Sequence, residues 1–212
     1  MCAARRPTRE SADAQRAEGE RSSSAGRARP HLLGIDDGAF DKWRDPDVPV
    51  VGVMMEGPDL VEGVAIARFP VDGDDATGFL ARWIGALRFR PALQGVVLGG
   101  ITIAGLGVVD VVGLAGALRL PVLAVNRRNP ANHRLERALR AAALEARLAL
   151  VERCPPALQI SGGLWITSAG IDAEGAAALV AATRRKADLP EPLRLAHLVA
   201  RAIATGESRG RA

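Results

Sequence analysis

Between residues 31 and 69 three strand-length apolar runs follow one another, HLLGID, VPVVGVMM (48–55) and LVEGVAIARF (60–69), with no helical period between them. The second and third are joined by EGPD (56–59), whose Gly-Pro-Asp content marks a turn. Strands this close in sequence predict an antiparallel meander, and a meander must cover its apolar face with other elements. The rest of the chain supplies them. Residues 75–88 carry Phe79, Leu80, Trp83, Ile84 and Leu87 at helical spacing behind Asp74 or Asp75, either of which suits an N-cap. GVVLGGITIA (95–104) reads as a buried strand with a glycine break, and PVLAVN (121–126) as another apolar strand. VVDVVGLAGAL (108–118) reads as a helix in spite of its β-branched residues. A helix is expected over roughly 131–147, a strand at LWITSAG (164–170), and helices at about 172–184 and 191–204, the last opened by Pro190 and Pro192.

This order predicts an α/β protein with a mixed sheet flanked by helices, the element order of a ribonuclease-H-like fold. Two parts are expected: a tail over residues 1–30 and one domain over 31–212. The tail has no leucine, valine, isoleucine or aromatic residue, so it cannot bury apolar surface and is expected to be disordered. Its seven arginines and four acids contribute +3 of the formal net charge of +4. The domain is therefore close to neutral, and any affinity for nucleic acid has to come from local patches. No apolar run approaches the ~20 residues of a membrane span, and the first residues lack the apolar stretch of a signal peptide. The cysteines, Cys2 and Cys154, form neither a disulfide framework nor a zinc spacing, which fits a reducing cytoplasm.

Several chemistries are excluded by spacing. There is no G-x-x-x-x-G-K-S/T phosphate loop and no G-x-S-x-G elbow. AGLGVVD (104–110) resembles a dinucleotide fingerprint, but Asp110 stands where the third glycine belongs and Asn126 where the ribose-binding acid belongs. What remains is carboxylate chemistry. Asp36 sits at the end of the first apolar strand, and Asp72, Asp74 and Asp75 cluster in VDGDDAT just before the first helix. Oxygen ligands from separate elements are what Mg²⁺ takes. Asp37, facing away from Asp36, suits the following turn. His197 falls on the inward face of the last helix with Leu193, Ala196, Ala200, Ile203 and Ala204, a position that suits a hydrogen-bonded core histidine. Arg127 and Arg128 follow a strand end, where α/β sheets bind ligands, and Arg184, Arg185 and Lys186 form a second basic cluster.

LLGIDDGAF, VDGDDAT, VVLGGITIAGLGVVD, PVLAVNRRNP, SAGI, LPEPLRLAHLVARAI and GESRGRA together, in order and spacing over residues 31–211, resemble the endonuclease dU family of small endonuclease V-like proteins. The resemblance implies a Mg²⁺- or Mn²⁺-dependent nuclease acting on DNA with deaminated bases, deoxyuridine or deoxyinosine, as in DNA repair. It also implies roles. Asp36 is the first-strand metal ligand, and Asp72 or Asp75 the second. His197 is the histidine of the last helix, and Arg128 or Arg127 the cation near the scissile phosphate. The chain departs from the pattern in three places. Gly99 replaces a family aspartate, Gly107 replaces an asparagine, and Glu56 stands where a basic residue is expected. The resemblance thus implies catalysis that is weakened, or a catalytically inactive nucleic-acid-binding or partner-binding module on the same fold.

Overall fold

Side chains alternate across a strand, so β1 (His31–Asp37) sends Leu32, Gly34 and Asp36 to one side and Leu33, Ile35 and Asp37 to the other. Leu32, Leu33 and Ile35 are all buried, which requires cover on both faces. The computed structural model shows that cover; it describes residues 29–130, 132–160 and 163–208. The expected tail lies outside these apart from Arg29 and Pro30, as does the C-terminal GRA of the GESRGRA stretch with the residue before it.

β1 pairs antiparallel with β2 (Asp47–Glu56), which pairs antiparallel with β3 (Leu60–Pro70). On its other edge β1 pairs parallel with β4 (Gly95–Leu98), which pairs parallel with β7 (Val122–Asn126). β9 (Trp165–Ala169) is antiparallel to β7, and the two-residue β8 (Leu158–Gln159) closes the order β3-β2-β1-β4-β7-β9-β8. A meander beside two parallel strands reached by helical crossovers is the ribonuclease-H-like arrangement. The stretch after β4 turns at Gly99 and Gly100 and forms a small hairpin, β5 (Thr102–Ile103) with β6 (Gly107–Val108), instead of one continuous strand.

Helices α1 (Ala76–Gly85) and α2 (Val111–Leu118) cover the face of Leu33, Ile35, Val96 and Leu98 through Leu80, Ile84, Leu114 and Leu118. Their starts are capped as short polar side chains allow, by Asp75 on the Gly78 N–H and Asp110 on the Gly113 N–H. The expected 131–147 helix is instead two pieces: α3 (Asn132–Ala141) and, after a single 3₁₀ turn, α4 (Leu148–Glu152). Ala143 sits at φ 56 between them, a left-handed backbone that no helix continues through. On the opposite face lie α5 (Ala173–Thr183) and α6 (Glu191–Thr205). Leu193 and Val180 pack with Leu32, Val97 and Leu123, and Ala196 and Ala200 pack on Val51, Val53 and Met55. Ile203 and Ala204, expected on the inward face of α6, are exposed at the end of the helix, where they line a pocket with Pro49 of β2 and Arg68 of β3.

Candidate functional site

Gly34 sets the position of α6. A Cβ at 34 would fall inside the backbone of Pro192 and Leu193, so the first turn of α6 lies directly on β1 at this residue. From there helix and strand run in the same direction. Four helical residues rise about 6 Å, and two strand residues rise about 6.6 Å. One turn beyond Leu193 therefore comes into step with two residues beyond Gly34: His197 lies over Asp36. The Nδ1 of His197 is 2.7 Å from Oδ2 of Asp36, and both side chains are only partly buried. Oδ1 of Asp36 accepts the N–H of Asp37 at 3.0 Å.

These two residues open into a cleft of about 220 Å³, lined also by Gly99, Val125, Asn126, Arg127, Leu189 and Leu193. Gly99 continues the parallel register in which Ile35 faces Leu98. A Cβ at Gly99 would stand 3.1 Å from Oδ1 of Asp36, so a side chain there would point at the carboxylate. The left-handed backbone of this turn belongs to Gly100 at φ 128 and not to Gly99. At Gly107 a Cβ would stand 2.7 Å from the Ile103 carbonyl oxygen, closer than this hairpin accommodates.

Asp37 points to the other face. Its Oδ2 accepts the N–H of Ala104 at 2.9 Å, so it ties β1 to the β5–β6 hairpin. Burial, helped by the neighbouring Asp36 charge, raises its pKa to about 6 against the opposing pull of its N–H partners and His197.

The other expected acids lie elsewhere. Asp72, at φ 53, accepts the Leu106 N–H at 2.8 Å and meets Lys42 Nζ at 2.7 Å. Burial alone would raise its pKa, but the Lys42 and Leu106 hydrogen bonds and the Lys42 and Arg147 charges outweigh it and hold the carboxyl below its usual range. Asp75 is the cap of α1 and also meets Arg82. Neither joins Asp36 and His197 in a group of ligand atoms within 4.8 Å of one another. Among the described residues such a group occurs at the opposite end of β1, where His31, Glu56 and Glu62 meet and Arg29 already pairs with Glu56 at 2.8 Å. Arg127 lines the cleft and Arg128 is exposed beside it. Asn126 and Leu189 are cleft residues that spacing alone did not single out. The position of Asn126 as the last residue of an apolar strand was the available signal.

Residues 29–204 match the sequence profile of a family described as Endonuclease dU. The chain belongs to the Endonuclease dU family. A UPF0215 protein of Methanothermobacter thermautotrophicus is 37% identical over 185 residues, 85% of this chain and 91% of that protein. A UPF0215 protein of Thermococcus kodakarensis is 38% identical over 184 residues, covering 84% of this chain and 94% of the relative. A crystal structure of a protein of unknown function from Archaeoglobus fulgidus is similar at TM-score 0.76 and 35% identity, covering 82% of this chain and 98% of that one. A more distant match is Ciona intestinalis endonuclease V in complex with an inosine-containing 24mer DNA, at TM-score 0.47 and 14% identity, covering 87% and 95%. At that level the likeness establishes no shared activity. Among the described residues no helix is long and apolar enough to cross a membrane.

Proposed function

We propose that this Endonuclease dU family member recognises DNA containing deaminated bases, deoxyuridine or deoxyinosine, and cleaves it slowly in the presence of Mg²⁺ or Mn²⁺. The cleft at the end of β1 is the reacting site, with Asp36 and His197 at its floor and Arg127 and Arg128 at its rim. The observation that carries this reading is the pairing of Asp36 with His197 beside a vacated position. The residue aimed at the carboxylate from β4 is Gly99, which offers no ligand.

The donor set tests the metal. Asp36 supplies one charged oxygen and Asn126 one neutral amide oxygen, while Asp37 is turned to the other face. Mg²⁺ dehydrates reluctantly and is bound through one or two carboxylates plus substrate phosphates. With one carboxylate the cleft stands at the low end of that range, so an ion there would be held weakly until a phosphate joined it. A bound divalent ion polarises a phosphoryl oxygen and activates water, and both effects fade when the ion is loosely held. Through the Asp36 contact, His197 fixes the direction of the carboxylate, and its other ring nitrogen is left for the cleft. The vacancy at Gly99 equally favours a second reading, a nucleic-acid-binding module without catalysis.

The experiment is cleavage and binding of oligonucleotides carrying uracil, hypoxanthine or only normal bases, in Mg²⁺, in Mn²⁺ and in chelator. The expected result is tighter binding to a deaminated strand, with slow, metal-dependent cleavage that Asp36→Asn abolishes. Selective binding with no cleavage in either metal would select the module reading. Equal binding to all three strands would contradict base recognition.

A further inference from the structure

We propose that the outer face of α3 is a track for the sugar-phosphate backbone of a nucleic-acid strand leading into the cleft at Asp36. The proposal rests on the nucleic-acid reading above and adds to it a surface outside the cleft. Arg134, Arg137 and Arg140 recur every three residues along α3. At 100° per residue they fall within a stripe about 120° wide on one side of the helix. His133 lies within the same stripe, and all four side chains are exposed. The opposite side is the apolar one. Leu139 is fully buried against Val108 and Val151, and Leu135 packs beside it.

Three features distinguish this stripe from an ordinary solvated helix face. First, its arginines are not ion-paired: Arg134, Arg137 and Arg140 pair with no carboxylate among the described residues, and Glu136, one turn before Arg140 at the edge of the stripe, makes no ion pair with it. Elsewhere the chain pairs its exposed arginines repeatedly, as in Arg68 with Asp47, Arg82 with Asp75 and Arg153 with Asp110. Second, the helix sits at the reacting end of the sheet. Ala138, Ala141 and Ala142 line one pocket with Gly105 and Leu106 of the hairpin that follows Gly99 and Gly100, and with Lys42 and Asp72. Third, α3 starts four residues after the exposed Arg128 and five after Arg127, which lines the cleft, so the chain leads from the cleft to the stripe.

The dimensions suit a phosphate backbone. From Arg134 to Arg140 the helix rises about 9 Å. One strand of a duplex carries a charge about every 3.4 Å along its axis, so the stripe spans two to three phosphates. The planar guanidinium is the side chain that grips phosphate in a bidentate fork. The domain as a whole is close to neutral, so this local stripe and not a global field supplies the attraction.

The test uses the full chain and a variant with Arg134→Gln, Arg137→Gln and Arg140→Gln. A control variant carries Arg82→Gln, Arg88→Gln and Arg119→Gln and removes equal charge from the α1–α2 layer. Binding is read by fluorescence anisotropy on a labelled duplex, with and without one uracil, across a salt series. The α3 variant is expected to keep its melting temperature and to bind both duplexes about ten- to a hundredfold more weakly near 0.1 M salt. Its slope of log affinity against log salt should be shallower by about 2 to 3, one contact contributing about 0.9. The control should change neither by more than a small factor. Equal slopes for the parent and the α3 variant, or equal losses in the two variants, would overturn the proposal while leaving the base-recognition reading intact. An α3-dependent slope without preference for uracil would sustain the track and remove recognition of uracil. A parent that binds neither duplex would remove both.

Discussion

At the residue scale, two neighbours on β1 have separate tasks because alternation sends them to opposite faces. Asp36 meets His197 and the cleft, and Asp37 anchors the hairpin through Ala104. The folded pKa of Asp37, about 6, lies above its ordinary value of 3.8, so the folded chain holds a proton there that the unfolded chain releases. Stability from this group is therefore full below about pH 4 and is lost as pH rises through about 6. Asp37→Asn keeps an oxygen for the Ala104 N–H and removes the titration. It should raise stability at pH 7.5 by on the order of 1–3 kcal/mol. It should also flatten the pH dependence between 4 and 6.5 in chelator-treated protein. Parallel pH profiles for the two proteins, measured by urea denaturation, would show that Asp37 is not held protonated. Sequence spacing correctly put Asp36 at a strand end, where a carboxylate has a use. It did not separate the two possible places of His197, since a helix face identifies what is inward but not what it meets. Only the resemblance to a family linked that histidine to Asp36. The tie of Lys42 to Asp72 had a faint signal, Lys42 being one of two lysines in the chain.

At the element scale, α6 is positioned by the absence of a side chain. Gly34→Ala would drive a methyl into the backbone at Pro192, and neither backbone can give way as a flexible side chain would. We expect a loss of about 3 kcal/mol, the upper end of the usual overpacking cost. Gly85→Ala is the matched control, because a Cβ there meets nothing, and it should be neutral or stabilising by about 0.5–1 kcal/mol. Similar melting temperatures for the two variants would contradict the close approach of α6 to β1. The Asp72 loop and the β5–β6 hairpin depend on one buried cation. Arg147 donates to the Leu106 carbonyl at 2.7 Å and the Asp72 carbonyl at 2.8 Å, and it also meets Asp74. Asp74 is almost fully exposed, so that ion pair contributes little, and the two carbonyls carry the effect. Arg147→Met leaves them without a donor and should cost about 2–4 kcal/mol in chemical denaturation. A change below about 0.5 kcal/mol would mean that water replaces the guanidinium freely. Helix periodicity anticipated α1, α2, α5 and α6 within a few residues. It missed the break after α3 because the sequence across Ala143, RAAALEARLAL, remains a good helix former, and tertiary packing of Leu139 and Val151 on Val108 decides the bend.

At the scale of the whole molecule, three meander strands followed by two parallel strands left few arrangements open. The ends of β1, β4 and β7 share one edge, so Asp36, Gly99 and Asn126 had to come together there. What element order does not encode is the content of that edge. The position facing Asp36 could hold a carboxylate, as the resemblance implies, or nothing. We propose that this vacancy, and not a different fold or a missing histidine, limits cleavage. The most direct measurement is single-turnover cleavage of a uracil-containing oligonucleotide in Mg²⁺ and in Mn²⁺ by the chain as it stands and by Gly99→Asp, with Asp36→Asn as background. The methylene at 99 requires Asp36 to yield by a few tenths of an ångström, which a partly exposed carboxylate permits. On this proposal the parent cleaves slowly and Gly99→Asp gains at least tenfold, equivalent to about 1.4 kcal/mol of transition-state stabilisation. Rapid cleavage by the parent that Gly99→Asp leaves unchanged or lowers would contradict it.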